Sequence, residues 1–474
     1  MNQKLKITTP DQIHYGPVTM PDSIRLADLP EIPASVYQKR LDTLLPIMNA
    51  KGLDALLIYA DREHFQNFEY LYGFEPRFEE GIAVIHRDGT CYAILGNECL
   101  PLTEIAKIKV IPILCQLMSM PGQPMSEACD LADSFRASGL ASGNRVGVIG
   151  WKLFPEQLAA EQYYDLPHYM VTQLQTVLGP NGTILGCSSM FIAPGTGIRN
   201  FAEPEQIAAF EYASTTVSAG MLDAMEAIAA GRSELEIGSY LNPSGLPLSC
   251  HTNVSAGSRT KTGLVSPSSN LLKTGDPMTF CWGMRGALSC RAGYVANSAA
   301  DLPENAKDYM EVIVKPYFAA AVSWYENIGL GIKGREIYEM IQELFPKEIY
   351  GWVLNPGHCL SSEEWINSPI YRGSEHEFKS GQFVQLDIIP SPKIPYYTSN
   401  IEDGILLADE SLRLILKETY PDMWTRIQKR KVFMKNVLGI TLKEEVLPLY
   451  ETQGILNPYL LNKGFCLQAN RTYP

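Results

Sequence analysis

No Cys-x-x-Cys pair occurs in the 474 residues, although the chain has 10 cysteines. Zinc sites and dithiol redox centres use that spacing, so these cysteines read as separate reduced thiols. Long apolar runs are missing as well: nothing reaches the roughly 18 consecutive apolar residues that a membrane-spanning helix needs. The opening Met1-Asn2-Gln3-Lys4-Leu5-Lys6 holds no secretory h-region, and a cytoplasmic location without a membrane partner is expected. Positive charge is short too. Lys and Arg total 39 against 52 Asp and Glu, a net charge of -13. An acidic surface is repelled by phosphate backbones and anionic lipid, which argues against nucleic acid as a partner.

What the chain does have is a pattern that occurs twice. Leu272-Lys273-Thr274-Gly275-Asp276-Pro277-Met278-Thr279-Phe280-Cys281 is echoed by Phe378-Lys379-Ser380-Gly381-Gln382-Phe383-Val384-Gln385-Leu386-Asp387. A helical hairpin precedes each copy, turning at Gly231 in the first and near Gly329 to Gly331 in the second. Ser233 and Glu236 have capping-box spacing at the start of the helix after Gly231. The separation is too long for a solenoid, so the pattern predicts a duplicated unit of two helices plus sheet, its halves packed around one site.

Length and 46% hydrophobic content exceed what one core holds and predict more than one domain. Residues 1–200 read as an α/β domain, 201–415 as the duplicated catalytic domain, and 416–474 as an extension packed on it or on a dimer mate. In the first, a helix over Val36 to Met48 ends at Gly52, a buried strand covers Leu53 to Tyr59, and a hairpin turns at Asp88-Gly89 between Ile82–Ile85 and Cys91–Leu95. Arg145 to Gly150 is a further strand, and Pro194-Gly195-Thr196-Gly197 marks the boundary before a helix opened at Glu203-Pro204. The stretch Met423 to Lys431 is basic in an acidic chain and predicts docking on an acidic surface of this protein or its dimer mate.

The order of hairpins and glycine turns, with Pro356-Gly357-His358 and Ser399-Asn400-Ile401-Glu402-Asp403-Gly404, resembles the creatinase, prolidase and methionine aminopeptidase superfamily. The resemblance covers most of residues 30–415 and implies an α/β creatinase-type N-terminal domain followed by an α+β pita-bread domain with internal duplication, in a homodimer. Peptidases of this superfamily hold two metal ions with two aspartates from the first repeat and a histidine and two carboxylates from the second. Aligned on the Gly-Asp phrase, Cys281 and Ala292 occupy the two aspartate positions here, while His358, Asp387 and Glu402 occupy the later three. The peptidases' second histidine, seven residues past His358, is Trp365.

Ala292 has no ligand atom, and a dinuclear site depends on bridging carboxylates. One histidine and two carboxylates can still form a facial set for a single divalent ion. Creatinase shares the loss of both aspartates and cleaves a guanidino C–N bond without metal, so no cofactor and no metal are expected. The position of its catalytic histidine falls at Gly263 or Leu264, and that of the partner glutamate at Tyr294, which argues against creatine itself. Arg77 sits near where a creatinase arginine reaches a neighbouring subunit's site.

His358 is the candidate general acid or base, because imidazole exchanges a proton near neutral pH, with Asp387 and Glu402 binding or polarising the substrate. His251, on a strand, is the alternative base. Arg77, Arg285, Arg291, Trp282 and Tyr294 are candidate substrate-binding residues; the arginines can equally be surface ion pairs, and the rings can equally be core. If strand alternation continues without a break, Arg285 and Arg291 share the inward phase of Cys281. Cys281 is either a nucleophile or a buried, inert thiol. The expected function is metal-independent hydrolysis of a C–N bond in a small guanidino, ureido or amide substrate. A metal-dependent Xaa-Pro-type aminopeptidase and a non-catalytic binding descendant are the alternatives.

Overall fold

The computed structural model describes residues 5–155, 158–263 and 265–470, so Leu264 lies outside the described residues. The chain forms two compact units. One comprises Ile32–Arg199; the other joins the described residues up to Glu31 to those from Asn200 onward. The domain change therefore falls at Arg199/Asn200, close to the Pro/Gly stretch, but the N-terminal segment belongs with the second unit. Its strand β1 (Ile13–Pro17) pairs there with a strand near the other end of the chain.

In the Ile32–Arg199 unit, a helix over Ala34–Ala50 leads to β2 (Ala55–Ala60), with Gly52 in the left-handed region where the chain turns. β3 (Gly81–His86) and β4 (Cys91–Leu95) form the hairpin around Asp88-Gly89. β5 (Ile111–Leu114), β6 (Arg145–Ile149) and β7 (Thr183–Gly186) complete a six-stranded mixed sheet in the order β5-β4-β3-β2-β6-β7. Every residue of β2 is buried, as a central strand covered on both faces requires.

The second unit opens with a helix over Pro204–Ala227, its proline at a first-turn position where no amide hydrogen is needed. Strands β8 (Leu248–Ala256), β9 (Pro277–Met284) and β10 (Ala287–Tyr294) follow. After the helices Lys315–Asn327 and Gly334–Leu344 come β11 (His358–Cys359), β12 (Phe383–Gln385), β13 (Asn400–Glu402), β14 (Gly404–Leu407), β15 (Val446–Pro448) and β16 (Phe465–Ala469), the partner of β1. Two four-stranded sheets result, β13-β10-β9-β8 and β11-β12-β14-β15.

The duplication is visible hydrogen bond by hydrogen bond. Gly231 N donates to Leu272 O at 2.8 Å, and Gly331 N donates to Phe378 O at 2.9 Å; Leu272 and Phe378 open the two echoed phrases. The return bonds match too, Leu272 N to Arg232 O at 2.8 Å and Phe378 N to Ile332 O at 2.9 Å. Gly275 and Gly381 both take positive φ, at 89° and 88°, which glycine adopts without a Cβ clash. The capping box forms as the spacing predicts, with Glu236 N donating to Ser233 Oγ at 3.2 Å and Ser233 N to Glu236 Oε2 at 2.7 Å.

The basic stretch lies on a helix over Pro421–Asn436, which docks on acidic residues of the same chain. Arg426 grips buried Glu211 with two bonds of 2.9 and 2.6 Å, and Arg430 Nε reaches Glu451 at 2.8 Å. No described helix is long and apolar enough to cross a membrane.

Candidate active site

The two sheets of the second unit meet where β13 passes into β14 with only Asp403 between them. β13 belongs to one sheet and β14 to the other, so Glu402 is carried to the edge where the second sheet presents His358. Gly357 makes that presentation possible. Its φ is 137°, and a Cβ there would lie 2.6 Å from Gln385 O, so only glycine lets β11 draw against β12. His358 then pairs with Gln385, and Asp387 lies two residues beyond β12.

His358 Nε2 lies 3.8 Å from both Asp387 Oδ2 and Glu402 Oε1, and one ligand atom from each of the three residues falls within 4.8 Å of the others. At 3.8 Å the groups feel each other's charge without a hydrogen bond between them. All three side chains are buried. Burial pushes the imidazole below its ordinary value, against the pull of Asp387. Burial, reinforced by the neighbouring Glu402, raises the Asp387 carboxyl well above the carboxylate range. Burial also pushes Glu402 up to about 7, opposed by a hydrogen bond with Gln385. Asp387 Oδ1 is buried with no hydrogen-bond partner among the described residues. The cluster thus favours a neutral imidazole and a carboxyl group that retains its proton, the equipment of general acid–base chemistry.

Trp365 closes one side of the imidazole. The two rings are stacked with centroids 4.0 Å apart and planes at 16°. The indole sits on a loop pinched at its base by Cys359 N to Asn367 O at 2.8 Å and Ile366 N to Cys359 O at 3.0 Å. In the sequence Trp365 is only a departure from a histidine pattern; contact with His358 is not readable from their spacing.

On the facing sheet, β9 and β10 join through the two-residue turn Arg285-Gly286, so Met284 opposes Ala287 and Cys281 opposes Cys290. Such a turn pairs odd with even positions. Cys290 and Ala292, not Arg291, therefore share the face of Cys281, and this corrects the phase expected from simple alternation. Glu402 opposes Cys290 and Asn253 opposes Cys281, giving a rung of Glu402, Cys290, Cys281 and Asn253 across four strands. Hydrogen bonding with Cys250 and Cys290, together with burial, holds the Cys281 thiol well above its ordinary value. It is an inert thiol, since the thiolate is the nucleophile and the ligand. The residues therefore do not fit two metal ions. Ala292 offers no donor, and Cys281 offers a soft sulfur unsuited to bridging a hard dinuclear pair. His358, Asp387 and Glu402, with the unpartnered Asp387 oxygen, do fit a single divalent cation.

Three expected substrate-binding residues belong to the core instead. Arg291 is buried on the opposite face of β10, where it pairs with Asp403 and donates to Ile455 O at 2.9 Å and Thr452 O at 2.8 Å. Trp282 is 0% exposed, and its Nε1 donates to Val217 O at 3.2 Å, so the indole is filled with protein on every side. The Tyr294 hydroxyl accepts from Tyr397 N at 3.0 Å, and its ring packs edge-on against Tyr309. Arg285 sits in the β9–β10 turn, with three further rungs of the hairpin between it and the Cys281 rung. His251 is exposed, beside a bulge in β8, and is not with the cluster. Arg77, in the Ile32–Arg199 unit, has positive φ and pairs with Glu75 at 2.8 Å with its side chain 57% exposed.

No protein-family model matches the sequence, and no curated protein matches it either. Solved structures do. A prolidase from Pyrococcus horikoshii matches with a TM-score of 0.61 at 15% identity, over 78% of this chain and 95% of that one. An Xaa-Pro dipeptidase from Bacillus anthracis matches with a TM-score of 0.59 at 15% identity, over 79% and 96%. An X-Pro aminopeptidase from Thermotoga maritima gives 0.59 at 14% identity, over 78% and 95%. The chain therefore has the fold of these prolidases and Xaa-Pro peptidases, an α/β N-terminal unit followed by a pita-bread unit.

Proposed function

We propose that this protein is a hydrolase of a C–N bond in a small dipeptide-like substrate of the Xaa-Pro type, with His358, Asp387 and Glu402 as its reacting groups. The observation that supports this reading is the buried cluster itself: three proton-exchanging side chains within 4.8 Å, in a fold shared with Xaa-Pro peptidases. Hydrolysis forms a C–O bond from water, breaks C–N, and moves one proton from the water to the leaving nitrogen. Glu402, titrating at about 7, is suited to take the proton from water. Asp387, held protonated by burial, is suited to give one to the leaving nitrogen. Neutral His358 between them accepts or donates a hydrogen bond and orients the attacking water. If the same three residues instead held a single divalent ion, Asp387 and Glu402 would bind it as carboxylates, and the ion would supply Lewis-acid polarisation of the substrate carbonyl in place of their proton transfer.

A second reading, metal-independent cleavage of a guanidino, ureido or amide compound, is favoured by the replacement of both first-repeat donors by Cys281 and Ala292. The two are separated by assaying Xaa-Pro dipeptides, guanidino acids, ureido acids and lactams with either Mn²⁺ or a chelator present. Dipeptide turnover that needs Mn²⁺ supports the first reading; chelator-resistant turnover of a non-peptide compound supports the second. Substituting Glu402→Gln should lower the rate about 10²–10⁴-fold in either case, the usual contribution of a general base. If no compound in these classes is turned over, the non-catalytic alternative is the better account.

A further inference from the structure

The sheet face that carries Glu402 extends one rung further. A step of two residues along a strand keeps the same face, so the rung of Glu402, Cys290, Cys281 and Asn253 is followed by Asn400, Ala292, Thr279 and Ser255, paired in that order by the register. The bulge in β8 lies before Asn253 and leaves this step intact. Alternate residues face the other way, where Trp282 is bonded to the helix over Pro204–Ala227. Both rungs therefore look toward the side on which Glu402 meets His358.

Three polar atoms on this face have no hydrogen-bond partner among the described residues: Asn253 Oδ1, Ser255 Oγ and Asn400 Oδ1. Their residues are 1%, 0% and 2% exposed, so bulk water does not satisfy them. Buried polar atoms nearly always have partners, because an unpaired one bears its full desolvation penalty, and three on one face mark a place where a bound group supplies the missing bonds. Asn253 fixes the sign of that demand. Its Nδ2 donates to His251 O at 3.0 Å on its own strand, so the amide oxygen is the end left over, and it can only accept. Thr279 Oγ1 is committed to Arg291 O at 3.1 Å, and Ala292 adds only a methyl group. The second rung has no charged side chain, and Glu402 lies about 7 Å away along the strand. A cation seated there would be buried without a counter-charge in contact, and a carboxylate would face acceptors; an uncharged N–H donor meets neither penalty.

We propose that Asn253, Ser255 and Asn400 form a specificity subsite beside the cluster that takes an uncharged N–H group, so that the substrate end seated there is a carboxamide or carbamoyl group. The proposal rests on the hydrolase reading and names the chemistry of that substrate end, and it is tested without turnover. N-carbamoylglycine and guanidinoacetate serve as probes because they share shape and carboxylate and differ in the charge of the N–H-bearing end. Equilibrium dialysis of the full-length protein at low temperature should show N-carbamoylglycine bound about tenfold more tightly, the least that an uncompensated buried charge costs. Ser255→Ala should weaken it about fivefold, the scale of one neutral hydrogen bond, and Asn400→Asp should turn the preference toward guanidinoacetate. Should the aspartate variant fold poorly, Ser255→Ala still decides: without ligand it should melt no lower than the wild type, because the hydroxyl it deletes has no partner to lose. A marked fall in its melting temperature, a preference of the wild type for guanidinoacetate, or carbamoyl binding indifferent to Ser255→Ala overturns the subsite, with ordered water the only occupant of the rung, and leaves the hydrolase reading intact. Binding of N-carbamoylglycine that depends on the rung, in a protein that turns over none of the assayed compounds, keeps the subsite and removes the hydrolase.

Discussion

Glu402 and Asp403 are adjacent in the chain and serve opposite faces of the same sheet edge. Glu402 looks into the site, 3.8 Å from His358, while Asp403 turns into the protein and is held by Arg291, by Ser289 Oγ at 2.8 Å and by Thr452 Oγ1 at 3.2 Å. The two carboxylates should respond differently to loss of charge. Asp403→Asn leaves a buried guanidinium without its counter-charge and should cost about 3–5 kcal/mol of stability. Glu402→Gln removes a group whose charged form is disfavoured by burial, so stability should hold or rise slightly while activity falls. Urea denaturation of both variants checks this, and a strongly destabilised Glu402→Gln beside a neutral Asp403→Asn would reverse the assignment.

Metal content follows from the donor set. With Ala292 unable to ligate and Cys281 a soft donor, the purified protein equilibrated with Mn²⁺ should carry no more than one ion per chain. Cys281 and Ala292 share a sheet face with Glu402, so the double substitution Cys281→Asp, Ala292→Asp places two hard donors beside the remaining three. The variant should bind a second ion by elemental analysis. Two ions in the unmodified protein would show that donors other than these complete a dinuclear site.

The C-terminal helix supplies a pH dependence. Burial lowers Lys431 from 10.5 to about 8, while its ammonium donates to Lys443 O at 2.9 Å and Glu444 O at 3.0 Å. A lysine with a depressed folded-state pKa binds fewer protons folded than unfolded, so its contribution is present above 10.5 and is lost as pH falls through about 8. The melting temperature of the wild type relative to Lys431→Met should therefore rise with pH between about 8 and 10.5 and be flat below that window. A difference that does not change with pH would mean that the folded and unfolded chains hold this proton equally.

The duplication was legible because it lies in turn chemistry. Gly231, Gly275, Gly331 and Gly381 all adopt positive φ, and glycine at such positions is visible in a bare sequence. Of the three residues of the cluster, Asp387 ends the second echoed phrase, while His358 and Glu402 were singled out only through the resemblance of Pro356-Gly357-His358 and the stretch from Ser399 to Gly404 to the superfamily. The role of Arg291 was not, since whether a strand residue faces in or out depends on the length of the turn before it, and the two-residue Arg285-Gly286 turn reverses the parity. Nor was the stacking of Trp365 on His358, which needs the bridge between Cys359 and Asn367 to fold the loop back. Trp282 and Tyr294 were misread for a related reason. Aromatic residues next to a site in sequence are usually packed behind it, and only burial on every side tells the two cases apart.

Gly357 offers the most direct test of how the fold sets up the chemistry. Its φ of 137° is one that residues with a Cβ rarely adopt, and a Cβ there would meet Gln385 O at 2.6 Å, Ile370 Cδ1 at 2.9 Å and Trp324 Cζ2 at 3.3 Å. The strain of an unfavourable backbone conformation alone is about 1–3 kcal/mol, and the contact with a backbone oxygen adds to it because that atom cannot rotate away. Gly357→Ala should therefore lower the melting temperature and, by pushing β11 off β12, move His358 away from Asp387 and Glu402. The second effect is separable from the first. If the cluster depends on this close approach, a preparation of the variant that is still folded at low temperature should lose activity by far more than its unfolded fraction explains. An alanine variant with wild-type stability and rate would mean that β11 is held against β12 by other contacts and that Gly357 is incidental to the placement of His358.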